Sequence, residues 1–230
     1  MAAHQIAPGA YRVGEGGVNV FVIDTGSVTV IDAGLPGRVD RIMAGVRAIG
    51  KTPPDVGAIL VTHYHADHIG ALQTLASQTR ARVYAPKGDS ALIRSGGRQP
   101  PLEGRGLVGS VLKSLMRPRD LPPQDVDIEV VDGDEVDVAG GIRVIATPGH
   151  TPGHVSYLWP AGAGTLFAGD AASTFLGKLD VAPVAEDFDR AAQSFVALAG
   201  HDFDVAGFGH GGALTHAASS RFRDVAAKYS

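Results

Sequence analysis

The amino-acid sequence predicts an α/β layered domain. Apolar runs of strand length alternate with stretches whose apolar residues recur at helical spacing, through two successive rounds of sheet and helix. Length bounds the answer. A chain of 230 residues fits one core, because single cores stop growing near about 250–300 residues, so one domain is expected over 1–230.

Taken in order, residues 18–23 and 27–31 read as two strands joined by the turn signal Asp24-Thr25-Gly26. Residues 38–50 form a helix, with Val39, Ile42, Met43, Val46 and Ile49 along one face. Residues 58–62 are a buried strand, 68–77 open a second helix, and 82–85 form another strand. Strands are then expected at 128–138, 142–146, 155–159 and 165–168. A helix at 187–198, a strand at 204–208 and a terminal helix at 215–229 complete the second round. Residues 88–125 are the least regular stretch, with Gly96-Gly97, Pro100-Pro101 and Pro122-Pro123 around a short helix at 107–115. Arg94, Arg98, Arg105, Lys113, Arg117 and Arg119 collect there, beside an apolar set of Leu102, Leu107, Val108, Val111, Leu112 and Leu115.

Composition excludes several classes. No run approaches the ~20 apolar residues that span a bilayer. Met1-Ala2-Ala3-His4-Gln5 lacks a basic segment followed by an apolar one, so no secretory signal is expected and the cytoplasm is the expected compartment. The absence of cysteine removes disulfides and thiolate ligands. A net charge of −4 argues against a strongly basic nucleic-acid surface. The expected partner is a small-molecule substrate, with no nucleic acid and no membrane. The apolar residues of 88–125 also suit a homodimer contact.

Chemistry concentrates at His63-Tyr64-His65-Ala66-Asp67-His68, directly after the apolar run Ala58-Ile59-Leu60-Val61. Three imidazoles and a carboxylate this close disfavour folding unless a cation holds them. Residues i and i+2 of an extended backbone share a face, so His63 and His65 leave the strand end on one side. Asp67 and His68 fall at the turn into a helix. Two pairs of ligands from one loop suit two adjacent metal ions. His150, Asp170 and His210 each follow a short apolar run and a glycine, which lets the backbone bring a side chain close to an ion. Any one of them alone would read as an ordinary loop residue; together they form a pattern.

That pattern resembles the metallo-β-lactamase-fold hydrolases. The matching stretches are 62–70, 147–154, Gly169-Asp170 and Gly209-His210, with Val30-Ile31-Asp32-Ala33-Gly34 near the start. The resemblance covers the chain from about residue 10 onward. It implies an αββα four-layer sandwich with metals along one edge between the sheets. It also implies that His63, His65 and His150 bind a first metal, that Asp67, His68 and His210 bind a second, and that Asp170 bridges them. Ligation by imidazole and carboxylate suits two Zn²⁺, with Fe or Mn as alternatives. Asp67 is implied to orient the attacking water or shuttle its proton, and Asp67 and Asp170 are the expected catalytic residues. In this fold an insert such as 88–125 often covers the active site, so a lid is expected there.

Asp32, at the end of an apolar strand, is expected to orient a ligating imidazole, with Thr62 in a lesser supporting role. His154 reads as structural or as a support behind a ligand, and not as a ligand itself, because Pro152-Gly153 separates it from His150 and breaks any helix. Tyr64 reads as packing. His4, His201 and His216 read as surface residues.

The expected reaction is hydrolysis of a small carbonyl ester, thioester or lactone by a hydroxide that bridges the two metals. Among the lactonases of this fold, a tyrosine three residues after the bridging aspartate is usual; Ser173 stands there instead. Glyoxalase-type thioesterases carry a further C-terminal helical domain, whereas 20 residues follow His210 in this sequence. Many true β-lactamases of the fold use a cysteine at the second metal, which argues against penicillin hydrolysis. A mononuclear Fe(II) persulfide dioxygenase is the alternative, since it would need only one histidine of the first motif, His150 and Asp170. A phosphodiesterase or nuclease ranks below both.

Overall fold

The computed structural model describes residues 3–14, 16–115 and 120–229. Its frame is two sheets. The first has seven strands in the order His4–Ala7, Ala10–Gly14, Asn19–Asp24, Val28–Ile31, Val56–Leu60, Arg82–Pro86 and Ile128–Val130. Pairing is antiparallel as far as Val28–Ile31 and parallel beyond it. The second has five strands, Glu135–Val136, Ile142–Ala146, Val155–Trp159, Thr165–Phe167 and Val205–Gly207, of which the last pair runs parallel.

The period of two along the strands sorts side chains into layers. Phe21, Ile23, Ile31, Ala58 and Leu60 of the first sheet meet Ile142, Val144, Tyr157, Trp159 and Phe167 of the second in a central core. The alternating residues Val22, Val30, Ile59 and Val61 turn outward onto Ile42, Met43 and Val46 of helix Val39–Ala48 and Leu72 and Leu75 of helix Leu72–Thr79. On the opposite side Ile145 and Leu166 pack on Phe195 and Leu198 of helix Phe188–Leu198 and Phe222 of helix Ala218–Ala226. Helix, sheet, sheet and helix therefore stack in four layers, as expected. None of the described helices is long and apolar enough to cross a membrane.

The structure corrects three expectations. The run 128–138 is two strands, one in each sheet, because a turn at 131–134 interrupts it; the Asp134 side chain accepts from the Val131 amide at 2.8 Å. The Asp132-Gly133 pair is where the chain crosses between sheets. The helix expected at 68–77 is two, Ala66–Ile69 and Leu72–Thr79, broken at Gly70, which presses against Pro36. The stretch 88–125 is more regular than expected. Helix Lys87–Ser95 occupies its start, helix Gly106–Leu115 its middle, and Glu103–Gly104 pairs with Val184–Ala185. Arg117 and Arg119 lie outside the described residues.

Candidate metal centre

The side chains singled out in the sequence converge at one edge of the sandwich, from both sheets. Strands Val28–Ile31 and Val56–Leu60 are parallel neighbours, so Asp32 and the 63–68 loop leave from the same end. Strands Thr165–Phe167 and Val205–Gly207 repeat the arrangement for Asp170 and His210. His150 follows Ile142–Ala146.

His63 Nε2 lies 3.0 Å from His65 Nδ1, which lies 2.9 Å from His150 Nε2. Asp170 Oδ2 lies 3.3 Å from His150 Nε2, 3.3 Å from His210 Nε2 and 3.6 Å from His68 Nε2. Asp67 Oδ2 lies 3.2 Å from His210 Nε2. Within 4.8 Å the ligand atoms form three overlapping trios: His63, His65 and His150; His63, His68 and Asp170; Asp67, His68 and His210. Asp170 thus sits between the other groups. No cysteine is needed to complete any of the trios.

Most of the rings are held from behind, which sets their tautomers. His63 Nδ1–H donates to Thr62 Oγ1 at 2.9 Å, and that hydroxyl donates to Asp32. His68 Nδ1–H donates to Asp32 Oδ2 at 2.7 Å. His150 Nδ1–H donates to the Val184 carbonyl at 2.8 Å, and His210 Nδ1–H to that of Gly17 at 2.7 Å. In all four, Nε2 is the nitrogen left facing the cluster. The two backbone acceptors had no signal in the sequence, because a carbonyl is the same in every residue.

His154 is buried behind the cluster and touches Asp170 through the backbone. The Asp170 amide donates to His154 Nε2 at 3.0 Å, so His154 Nδ1–H donates to Thr147 Oγ1 at 2.8 Å. Close approach also explains the glycine before His210. A Cβ on Gly209 would stand 2.1 Å from Asp170 Oδ1 and 2.5 Å from His68 Cε1.

The electrostatics favour a cation. Asp32 and Asp170 are buried and Asp67 is half-buried, and among the described residues their ion-pair partners are all imidazoles. Burial, reinforced by neighbouring imidazoles, keeps His63 well below the usual imidazole range and takes His65 down to about 3. These rings stay neutral with lone pairs to give. Burial also acts on His68, yet the Asp170 and Asp32 carboxylates overcome it and raise that ring to about 10. His210 is raised in the same way, chiefly by Asp170. The carboxylates thus draw protons onto His68 and His210, the positive charge a metal would supply at the same place. Buried His65 Nε2, His68 Nε2 and Asp170 Oδ1 have no hydrogen-bond partner among the described residues. Unpaired buried polar atoms are rare; all three belong to side chains of the ligand trios, so the donor set fits metal ions.

A cleft of about 290 Å³ opens over the cluster. His65, Asp67, His150, Asp170 and His210 form its floor, and Val18, Leu35, Leu112, Phe175, Pro183 and Val184 line its walls with Ser173.

The family described as the Metallo-beta-lactamase superfamily matches residues 13–210. Among curated proteins, the chain is 35% identical over 162 residues to the uncharacterized protein YobT of Bacillus subtilis (strain 168), covering 67% of this chain and 61% of that protein. It is 35% identical over 148 residues to a hydroxyacylglutathione hydrolase of Rhodopseudomonas palustris (strain BisB18), covering 64% of this chain but 44% of that protein. A probable metallo-hydrolase of Bacillus subtilis (strain 168), YflN, is 28% identical over 233 residues, covering 93% of this chain and 88% of that protein. Among solved structures, a β-lactamase from Chitinophaga pinensis superposes over 100% of this chain and 91% of its own with a TM-score of 0.74 and 24% identity. A subclass B3 enzyme of Bradyrhizobium japonicum does so over 100% and 90%, with a TM-score of 0.74 and 21% identity. At that identity the likeness concerns the fold.

Proposed function

The chain belongs to the metallo-beta-lactamase superfamily, and we propose that it is a two-metal hydrolase of small carbonyl esters, thioesters or lactones. The observation that carries this reading is Asp170, whose Oδ2 is reached by nitrogens from His68, His150 and His210 while its Oδ1 is buried without a partner among the described residues. His63, His65 and His150 would hold one ion and Asp67, His68 and His210 the other, with Asp170 between them. Zinc suits this all-nitrogen-and-oxygen set in a hydrolase. Bound there, two cations would supply Lewis acidity for a carbonyl oxygen and would lower the pKa of a bound water toward about 7.

The chain's own residues do the rest. Asp67 lines the cleft floor beside His210, from where it would orient a water and take its proton. Val18, Leu35, Leu112 and Phe175 exclude bulk water and offer an apolar wall to the acyl part of a substrate. Leu112 belongs to helix Gly106–Leu115, so the insert acts as one wall of the cleft, in keeping with a lid. Ser173 lines the same cleft and would offer its hydroxyl to a substrate there. The thioester reading is supported by relatives named hydroxyacylglutathione hydrolase.

The test is elemental analysis of the purified chain together with a panel of acyl thioesters, aryl esters, lactones and a β-lactam. About two metal equivalents and chelator-sensitive turnover of an ester, thioester or lactone are expected. One iron per chain with oxygen uptake on a persulfide would replace this reading by the dioxygenase.

A further inference from the structure

We propose that Asp89 is a positioning residue for the metal centre: its one carboxylate fixes the two separate loops that present His63, His65 and His150. The inference rests on the reading of that cluster as a metal centre and adds a residue that touches no ion.

Asp89 sits in the first turn of helix Lys87–Ser95 and is 2% exposed. Its Oδ2 accepts from the Tyr64 amide at 3.2 Å and from Thr151 Oγ1 at 2.7 Å. Its Oδ1 accepts from the Gly153 amide at 2.8 Å. Tyr64 lies between His63 and His65, and Thr151 follows His150. All three donors therefore come from the two histidine loops. Among the described residues no cation lies within ion-pair distance of this carboxylate. A buried carboxylate without a cation is costly unless its oxygens are hydrogen-bonded, and here all of that bonding goes to the two loops.

Packing and a second bridge point the same way. The helix start is pressed onto the turn after His150: a Cβ on Gly153 would stand 2.4 Å from the Asp89 amide nitrogen, and one on Gly88 would stand 2.7 Å from Gly153 Cα. The Tyr64 hydroxyl donates to Glu186, and the Glu186 amide donates to the His150 carbonyl at 3.2 Å. The loops are thus tied on both sides of Tyr64. Their inward nitrogens stand 2.9–3.0 Å apart, and a metal site tolerates about 0.5 Å of error in such placement. Loosening the tie should spread the three rings and weaken the first ion's hold before it affects the rest of the fold.

The experiment measures Zn²⁺ binding by the full-length chain, stripped of metal, in competition with a chelating dye. Parent, D89A, D89N and T151V are compared, with circular dichroism to confirm folding. D89A should bind the first ion, at His63, His65 and His150, roughly 10–100-fold more weakly, the range typical when a partner behind a ligand is lost. D89N keeps the volume but only one acceptor oxygen, and should fall in between. T151V loses one donor and should shift less, in the same direction. At saturating Zn²⁺ most of kcat should return; because excess metal also rescues a destabilised fold, the reading rests on variants that circular dichroism shows to be folded while stripped. A folded D89A with affinity within twofold of the parent overturns the proposal. Should D89A fail to fold, D89N decides by the same criterion. A parent that binds no Zn²⁺ would sink the metal reading and this inference together; a parent that loads normally beside an unaffected variant sinks the inference alone.

Discussion

Asp32 accepts the Nδ1–H of His68 at 2.7 Å through Oδ2, while its Oδ1 accepts the Thr62 amide at 2.8 Å. One buried carboxylate therefore fixes the ring of one proposed ligand and the backbone one residue before another, His63. Asp32→Ala is expected to weaken binding of the second ion roughly 10–100-fold, with a smaller effect on the first. Metal titration of the stripped variant checks this; equal weakening of both ions would contradict the assignment.

Asp170 is proposed to serve both ions at once. Asp170→Asn should reduce the bound metal below two equivalents and lower kcat/KM by at least about a hundredfold. Elemental analysis beside initial rates is the check. Full activity in this variant would remove Asp170 from the centre.

Ser173 lines the cleft alongside Asp170 and His210. Ser173→Ala should leave the metal content unchanged and alter the ratio of kcat/KM between thioester and lactone by about threefold to tenfold, the scale of one hydrogen bond. Loss of metal would mean that the serine supports the ions instead.

The metal-free protein should be most stable near about pH 6.5, the ordinary histidine value. His63, His65, His150 and His154 are lowered, first of all by burial, with His65 at about 3. Their contribution is present above the unfolded value and is lost as pH falls below it. His68, at about 10, and His210 are raised by carboxylates against the effect of burial. Their contribution is present below the unfolded value and is lost as pH rises toward 10. A bound cation displaces these protons, so affinity for Zn²⁺ should climb with pH and the alkaline decline should shrink in the loaded protein. Thermal melts of stripped and loaded protein from pH 4 to 10 test both limbs. A flat profile for the stripped protein between pH 6.5 and 10 would contradict the arrangement.

The four layers were legible because strand alternation and helical spacing write burial directly into residue type. The cluster was legible because imidazole and carboxylate side chains are scarce at strand ends, and here they recur with glycine beside them. The crossing at Asp132-Gly133 was hidden, since Ile128 to Val138 reads as one extended run unless the turn pair is given priority. Helix Lys87–Ser95 was hidden among glycine and serine, and with it Asp89, whose role depends on contacts with distant loops. The carbonyls of Gly17 and Val184 that hold His210 and His150 carry no side-chain signature at all.

Asp32, His63, His65, Asp67 and His68 hang from one sheet; His150, Asp170 and His210 hang from the other. Any ion seated among them is therefore a rivet through both plates of the sandwich. Loading would draw its free energy from correct docking of the two plates and return it as resistance to their separation. A chain whose halves slide out of alignment forfeits its chemistry at the same moment, so occupancy itself becomes a gauge of whether the molecule has been properly assembled.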